Sequence, residues 1–255
     1  MSLQYGIKEV LDCQILDYTT GAPKLFIDYA EATTTDVAGE RLIITGGQGN
    51  FRQLAFDHTK TSTLKLTVPL VDLNLLALIS GDTLSTAAQN IYIREVVTVS
   101  GGAATLSQTP LAGTTPSLFF LQGTRDNGTA LTKVASAPAA GQFSITGSAL
   151  TFNATDNNKQ VVVWYQYATP STSTKFSVKA NKFTSSVKII GKGLARDQVT
   201  DSDVATNILF YKAKAQQNFS VTMSSTAATT LELTFDLFAE KVGPDYVYSD
   251  FVFLT

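Results

Sequence analysis

One segment, Pro69-Leu-Val-Asp-Leu-Asn-Leu-Leu-Ala-Leu-Ile-Ser-Gly81, constrains the fold more than any other. Nearly everywhere else apolar and polar residues alternate with the period of β-strands, whereas here leucines crowd together under helical punctuation. Proline is favoured at a first helical position and Gly81 stands where a left-handed C-cap is wanted, so the spacing predicts a helix over about 69–80. Leu73, Leu75, Leu76 and Ile79 are spread at ~100° per residue and point in divergent directions. Burying them would contribute roughly 1.5–3 kcal/mol each. One sandwich face covers one side of such a helix, so these four residues are expected at an oligomer interface.

The flanking chain reads as all-β. Residues 9–31 form a hairpin turning at Thr19-Thr-Gly-Ala-Pro23, and Glu31 to Glu40, rich in Thr and without a core pattern, reads as a loop. Arg41–Thr45 and Phe51–Phe56 pair around Gly46-Gly-Gln-Gly49, and Ser62–Val68 alternates with Leu64, Leu66 and Val68 inward. From about 87 to 170 the strands shorten and Gly- and Asn-rich turns separate them, as in a small sandwich, with lone Trp164 read as a core residue. After a Thr-Pro-Ser-Thr seam the first style returns: strands at 174–179, 182–190, 207–212 and 218–223, then a clean alternation of Leu231, Leu233, Phe235 and Leu237. The economical organisation is a discontinuous domain, 1–86 plus 172–255, with 87–171 inserted.

Charged residues are 16% of the chain, against ~25% in an average domain, and the net charge is −2. No Lys/Arg run offers a nucleic-acid clamp. One cysteine, Cys13, excludes an intramolecular disulfide and a Cys-based zinc cluster, and its place in a strand pattern marks it as small and buried. The opening residues show no signal peptide and no apolar run reaches the ~20 residues of a membrane span, so a protein made in a cytoplasm, with no membrane partner, is expected.

Catalytic chemistry finds no purchase. The one histidine, His58, sits in a charged turn. Asp201 and Asp203 lie in a polar loop lacking the ligand spacing of a calcium site. Gly46–Gly49 and Gly191-Lys-Gly193 lack the strand–loop–helix setting of a phosphate cradle and read as turns. The Asn-X-Thr/Ser triplets at 127, 153 and 218 are chance matches in a Thr-rich chain. No cofactor or metal is expected.

Tyr5-Gly-Ile-Lys-Glu9, Thr45-Gly-Gly-Gln-Gly-Asn-Phe51 and the strand–helix unit Thr63–Gly81 together resemble tailed-bacteriophage major tail (tail tube) proteins. Ala137-Pro-Ala-Ala-Gly-Gln-Phe-Ser-Ile145, Leu150-Thr-Phe-Asn-Ala154 and Val161-Val-Val-Trp-Tyr165 are similar to the Ig-like domains such proteins carry. The resemblance implies an all-β fold: a β-sandwich or barrel tube domain with one flanking helix, plus an inserted Ig-like β-sandwich. It also implies hexameric rings stacked into a virion tube, contacts with other tail proteins, and DNA passing without specific binding. Within it, Thr33, Thr34, Thr35 and Asp36 become an inter-ring loop. Glu9, Asp12, Glu232 and Asp236, alternating with core residues on long strands, become candidates for the lumen wall. A capsid decoration protein or head fibre with an adhesive Ig-like domain is the rival virion role. Saccharide-binding modules and hydrolases are the rivals outside it: the first needs exposed aromatics, the second a paired acid and base.

Overall fold

The computed structural model describes residues 4–7, 9–70, 72–221, 225 and 230–254. The first stretch holds β1 (Tyr5–Ile7), β2 (Asp12–Asp17), β3 (Pro23–Ile27), β4 (Ala32–Gly46), β5 (Phe51–Val68) and α1 (Leu73–Ser80). The middle holds β6 (Ser85–Thr86), β7 (Asn90–Thr98), β8 (Ala103–Thr105), β9 (Ser117–Gln122), β10 (Asp126–Ala130) and β11 (Thr132–Lys133). It continues with β12 (Gln142–Thr146), β13 (Ala149–Phe152), β14 (Gln160–Ala168) and β15 (Thr174–Lys175). The last stretch holds β16 (Val187–Asp197), β17 (Asp203–Ala215), β18 (Leu231–Leu237), β19 (Glu240–Val242), β20 (Asp245–Val247) and β21 (Ser249–Phe253). Met1–Leu84 with Phe176–Thr255 make one compact unit, and Ser85–Lys175 make a second. The fold is predominantly β with one flanking helix.

In the discontinuous unit the strands run β3-β2-β16-β17-β18-β5-β4, all neighbours antiparallel, with β1 also paired to β16 and β21 to β17. Alternation decides which side faces the core. Cys13, Ile15, Leu64, Leu66, Val187, Ile189, Phe210, Leu231, Leu233 and Phe235 form one buried cluster with Leu75, Leu76 and Ile79 of α1. Leu11 joins it by lying against the backbone of β16. A Cβ on Gly191 or Gly193 would come within 3.0 Å of its methyls, so these glycines are close-approach positions inside a strand rather than turn residues. Burial raises the Cys13 thiol to about 12, helped by the neighbouring Asp12 charge, which keeps it neutral and inert.

The helix begins later than Pro69. Asp72 is its N-cap, accepting from the Asn74 N–H at 2.8 Å and from the Tyr29 hydroxyl at 3.3 Å, because a carboxylate satisfies an orphan N–H that Val68 cannot. It ends as its glycine predicts: Gly81 has φ 72°, and a Cβ there would lie 2.2 Å from the Phe183 carbonyl oxygen.

Two loop and strand readings change. Residues 32–40 are strand, not loop, since Thr33 and Thr35 pair with Leu66 and Leu64 and β-branched threonine suits an extended, half-covered position. Conversely, 176–186 and 218–221 lie outside the strands, while 222 and 223 lie outside the described residues. In the inserted unit, sheets β10-β9-β14-β7 and β11-β12-β13-β8 share a core of Val99, Leu106, Leu118, Phe143, Leu150, Phe152, Val161, Val163 and Tyr165. Trp164 is not in it. Its neighbours in sequence face that core, so alternation turns the indole to the opposite side of the sheet.

Candidate assembly surface

The hairpin β4–β5 is longer than the sheet that carries it. Pairing of β5 with β18 ends at Ser62, opposite Leu237, whereas pairing with β4 continues to the Gly46–Phe51 turn. The change falls at a bulge: Gly39 pairs with Lys60 and Glu40 with His58, leaving Thr59 between them at φ 51°. The Tyr248 hydroxyl donates to the Lys60 carbonyl at 2.5 Å and props this junction. Beyond it β4 and β5 form a two-stranded arm.

The arm is amphipathic. Leu42 opposes Phe56 and Ile44 opposes Leu54, which sets all four on one face. They are 56%, 51%, 44% and 52% exposed, respectively. On the other face Arg41 opposes Asp57, and their side chains meet at 2.5 Å. His58 stands at the bulge, near Thr59 Oγ1 at 3.0 Å and Glu40 at 3.4 Å, within a strand rather than in a turn. A two-stranded ribbon is marginal in water, and one with an open aliphatic and aromatic face gains most by having it covered.

The face of the sheet opposite α1 is polar. Asp36, Thr63, Asp236 and Lys214 stand in one row across β4, β5, β18 and β17; Thr34, Lys65 and Thr234 make the next, and Thr67 and Glu232 follow. Asp12 opposes Lys192 and Leu16 opposes Lys188 at the other end. Each lysine has a neighbour that offsets or holds it: Lys65 meets Asp36 at 3.4 Å, Lys214 opposes Asp236, and Lys188 lies 5.9 Å from the Tyr211 ring centre.

The sequence-derived residues fall into place unevenly. Asp12, Glu232 and Asp236 share this polar face, whereas Glu9 precedes β2 in a bend. The face is mixed in charge rather than acidic. Thr34 and Asp36 point to it, while Thr33 and Thr35 point to the core side, so Thr33–Asp36 are part of the sheet and not a free loop. Leu75, Leu76 and Ile79 are buried by their own chain, and only Leu73 stays open, 41% exposed. The first three lie within ~100° of arc on one helical face, so no second subunit is needed to cover them. What sequence reasoning missed is the apolar arm. Its signal was the i, i+2 spacing of Leu42/Ile44 and Leu54/Phe56 on either side of the glycine turn.

Among the described residues no group of three or more His, Cys, Asp or Glu could hold a metal ion, and no helix is long and apolar enough to cross a membrane. Comparison with known families decides the identity: residues 5–248 match the model of the YomU/Tube protein family. The chain belongs to the YomU/Tube protein family. No curated protein matches it. Family membership makes this tube protein a non-enzymatic, structural component of the bacteriophage virion, and the match runs through the inserted unit as well as the sheet that carries it.

Proposed function

We propose that this tube protein joins with copies of itself into hexameric rings that stack into a tail tube, through which phage DNA passes. The observation that carries the reading is the β4–β5 arm: four apolar side chains on one face of a projecting ribbon, left uncovered by the chain that makes them. A decoration protein has no use for such an arm, whereas a ring subunit has a neighbour to receive it. The end strands β3 and β4 supply free edges through which adjoining sheets can continue around a ring. In this reading the inter-ring contact passes from Thr33–Asp36 to the arm, the polar sheet face lines the lumen, and residues 87–171 form a peripheral Ig-like domain.

A DNA conduit must not hold its cargo. Duplex DNA carries one charge per ~1.7 Å, and each neutralised phosphate tightens binding. Lysines paired with carboxylates offer little net charge to a passing phosphate, so interleaving serves as well as an acidic wall.

Negative-stain microscopy and size-exclusion chromatography test the assembly. The wild-type chain should form rings or tubes as concentration rises, and Leu54→Ser with Phe56→Ser should stay a folded single chain. A wild type that never associates, or a double variant that polymerises equally well, sinks the reading. In particles, Thr67→Lys with Glu232→Lys should slow DNA ejection and make it salt-sensitive.

A further inference from the structure

Trp164 is the only tryptophan of the chain, and it stands 40% exposed on the outer face of sheet β10-β9-β14-β7. It opposes Arg94 on β7 and Ser117 on β9; Tyr92, 75% exposed, is the next residue of β7 on the same face, opposite Gln166. Diagonal neighbours of this kind are ~7–8 Å apart, so two aromatic side chains lie side by side within the span of a short oligosaccharide. Val162, flanked in register by Val96 and Phe119, is fully buried and floors the face without opening a groove. Alternation brings Gln160, Gln166, Thr98 and Ser117 to the same side.

We propose that this face is a saccharide-binding site, selective for acidic glycans. Aromatic rings bury the apolar faces of sugars, while amides and hydroxyls around them match sugar hydroxyls as donors and acceptors. Charge complementarity selects the acidic class. Arg94 lies 5.8 Å from the Trp164 ring centre and donates to the Arg125 carbonyl at 2.8 Å, so its position is fixed. Among the described residues no carboxylate pairs with it. Glu95, the adjacent acid of β7, is engaged on the core side by the Tyr165 hydroxyl at 3.3 Å and the Ser107 hydroxyl at 2.5 Å.

With one tryptophan per chain, tryptophan emission, excited at the red edge where the nine tyrosines do not absorb, reads this face alone. Full-length protein is titrated at roughly 0.15 M salt with sodium polygalacturonate and with its fully methyl-esterified, neutral counterpart. A saturable shift in emission, tighter for the acidic polymer, is expected. Tyr92→Ala should weaken both by about tenfold, and Arg94→Gln should bring the acidic polymer to parity with the neutral one. Trp164→Phe, followed by affinity electrophoresis in the same polymer, should lose retardation while keeping its melting curve. No emission shift with either polymer overturns the proposal. So does a shift that ignores both Tyr92→Ala and Arg94→Gln, or one driven by protein concentration alone, which would mark the face as a contact between copies.

Discussion

The two halves of hairpin β4–β5 are built from the same alternation and meet opposite fates. In the half nearest the sheet, Leu64 and Leu66 are fully buried beneath α1's apolar side and against β18. Past the bulge at Thr59 the alternation resumes with its faces exchanged, so Leu54 and Phe56 lie on the side that carries Asp36 and stand about half exposed. Alternation therefore reports which side of a strand wants cover. It is silent on who provides it. In the first half the cover is the chain itself, and in the second, on the reading proposed above, it is another copy.

That contrast can be broken most forcefully in the covered half. Leu66→Ala removes a buried side chain from a packed cluster and should lower unfolding stability by about 3 kcal/mol, measured by urea denaturation of the single chain. A loss under about 1 kcal/mol would mean the two halves are less different than their burial says. In the arm, Leu54→Ser or Phe56→Ser should each change single-chain stability by less than about 0.5 kcal/mol while abolishing association. Destabilisation on the scale of Leu66→Ala would show that the arm packs on its own chain.

The boundary itself offers a smaller effect of opposite sign. Thr59 holds φ 51°, a left-handed conformation that costs an L-residue roughly 1–2 kcal/mol and suits a β-branched one least. Thr59→Gly relieves that cost but adds about 0.5–1 kcal/mol of unfolded-chain entropy, leaving a net gain of at most about 1.5 kcal/mol. Thermal melting should rise slightly. A fall would mean that the threonine side chain, whose Oγ1 lies 3.0 Å from His58 Nδ1, contributes more than its backbone costs.

How far the sequence disclosed all this depends on the kind of signal. Leu231–Leu237 and Ser62–Val68 were legible because strict period-2 runs have one reading. Gly81 was legible because a helix followed by glycine invites a left-handed cap. Residues 31–40 were not, since threonines on both faces of an edge strand leave no apolar stripe. The helix was found but its cover was misjudged: Leu75, Leu76 and Ile79 look divergent in a list and share one face on the cylinder. Trp164 went astray because three valines before it suggested a strand buried on both sides, and only the partners Val97 and Ile93 show which side is the core. The candidate site was hardest to read, for an uncovered apolar face is written in the same letters as a covered one.

The smallest expected effect separates the covered sheet from the arm by pH. Asp17, at the β2–β3 turn of the covered sheet, has its carboxyl held far below the ordinary aspartate range, first by Lys24 at 2.8 Å and then by the Thr20 N–H. Asp57 in the arm is lowered chiefly by Arg41. Both have folded-state affinities for protons below the unfolded value of 3.8, so each contribution is present above that pH and is lost as pH falls through the folded value. Asp17 is three-quarters shielded from solvent and also caps its turn, with Thr19 and Thr20 N–H both at 2.9 Å; the Arg41–Asp57 pair is mostly exposed and open to screening. Asp17→Asn should therefore flatten the acid limb of the single chain's stability curve at any salt. Asp57→Asn should flatten it less, and not measurably at about 1 M salt, where the Debye length is ~3 Å. Equal flattening by the two substitutions at high salt would mean that Asp57 is as sheltered as Asp17, and that the arm is not the open ribbon its exposure describes.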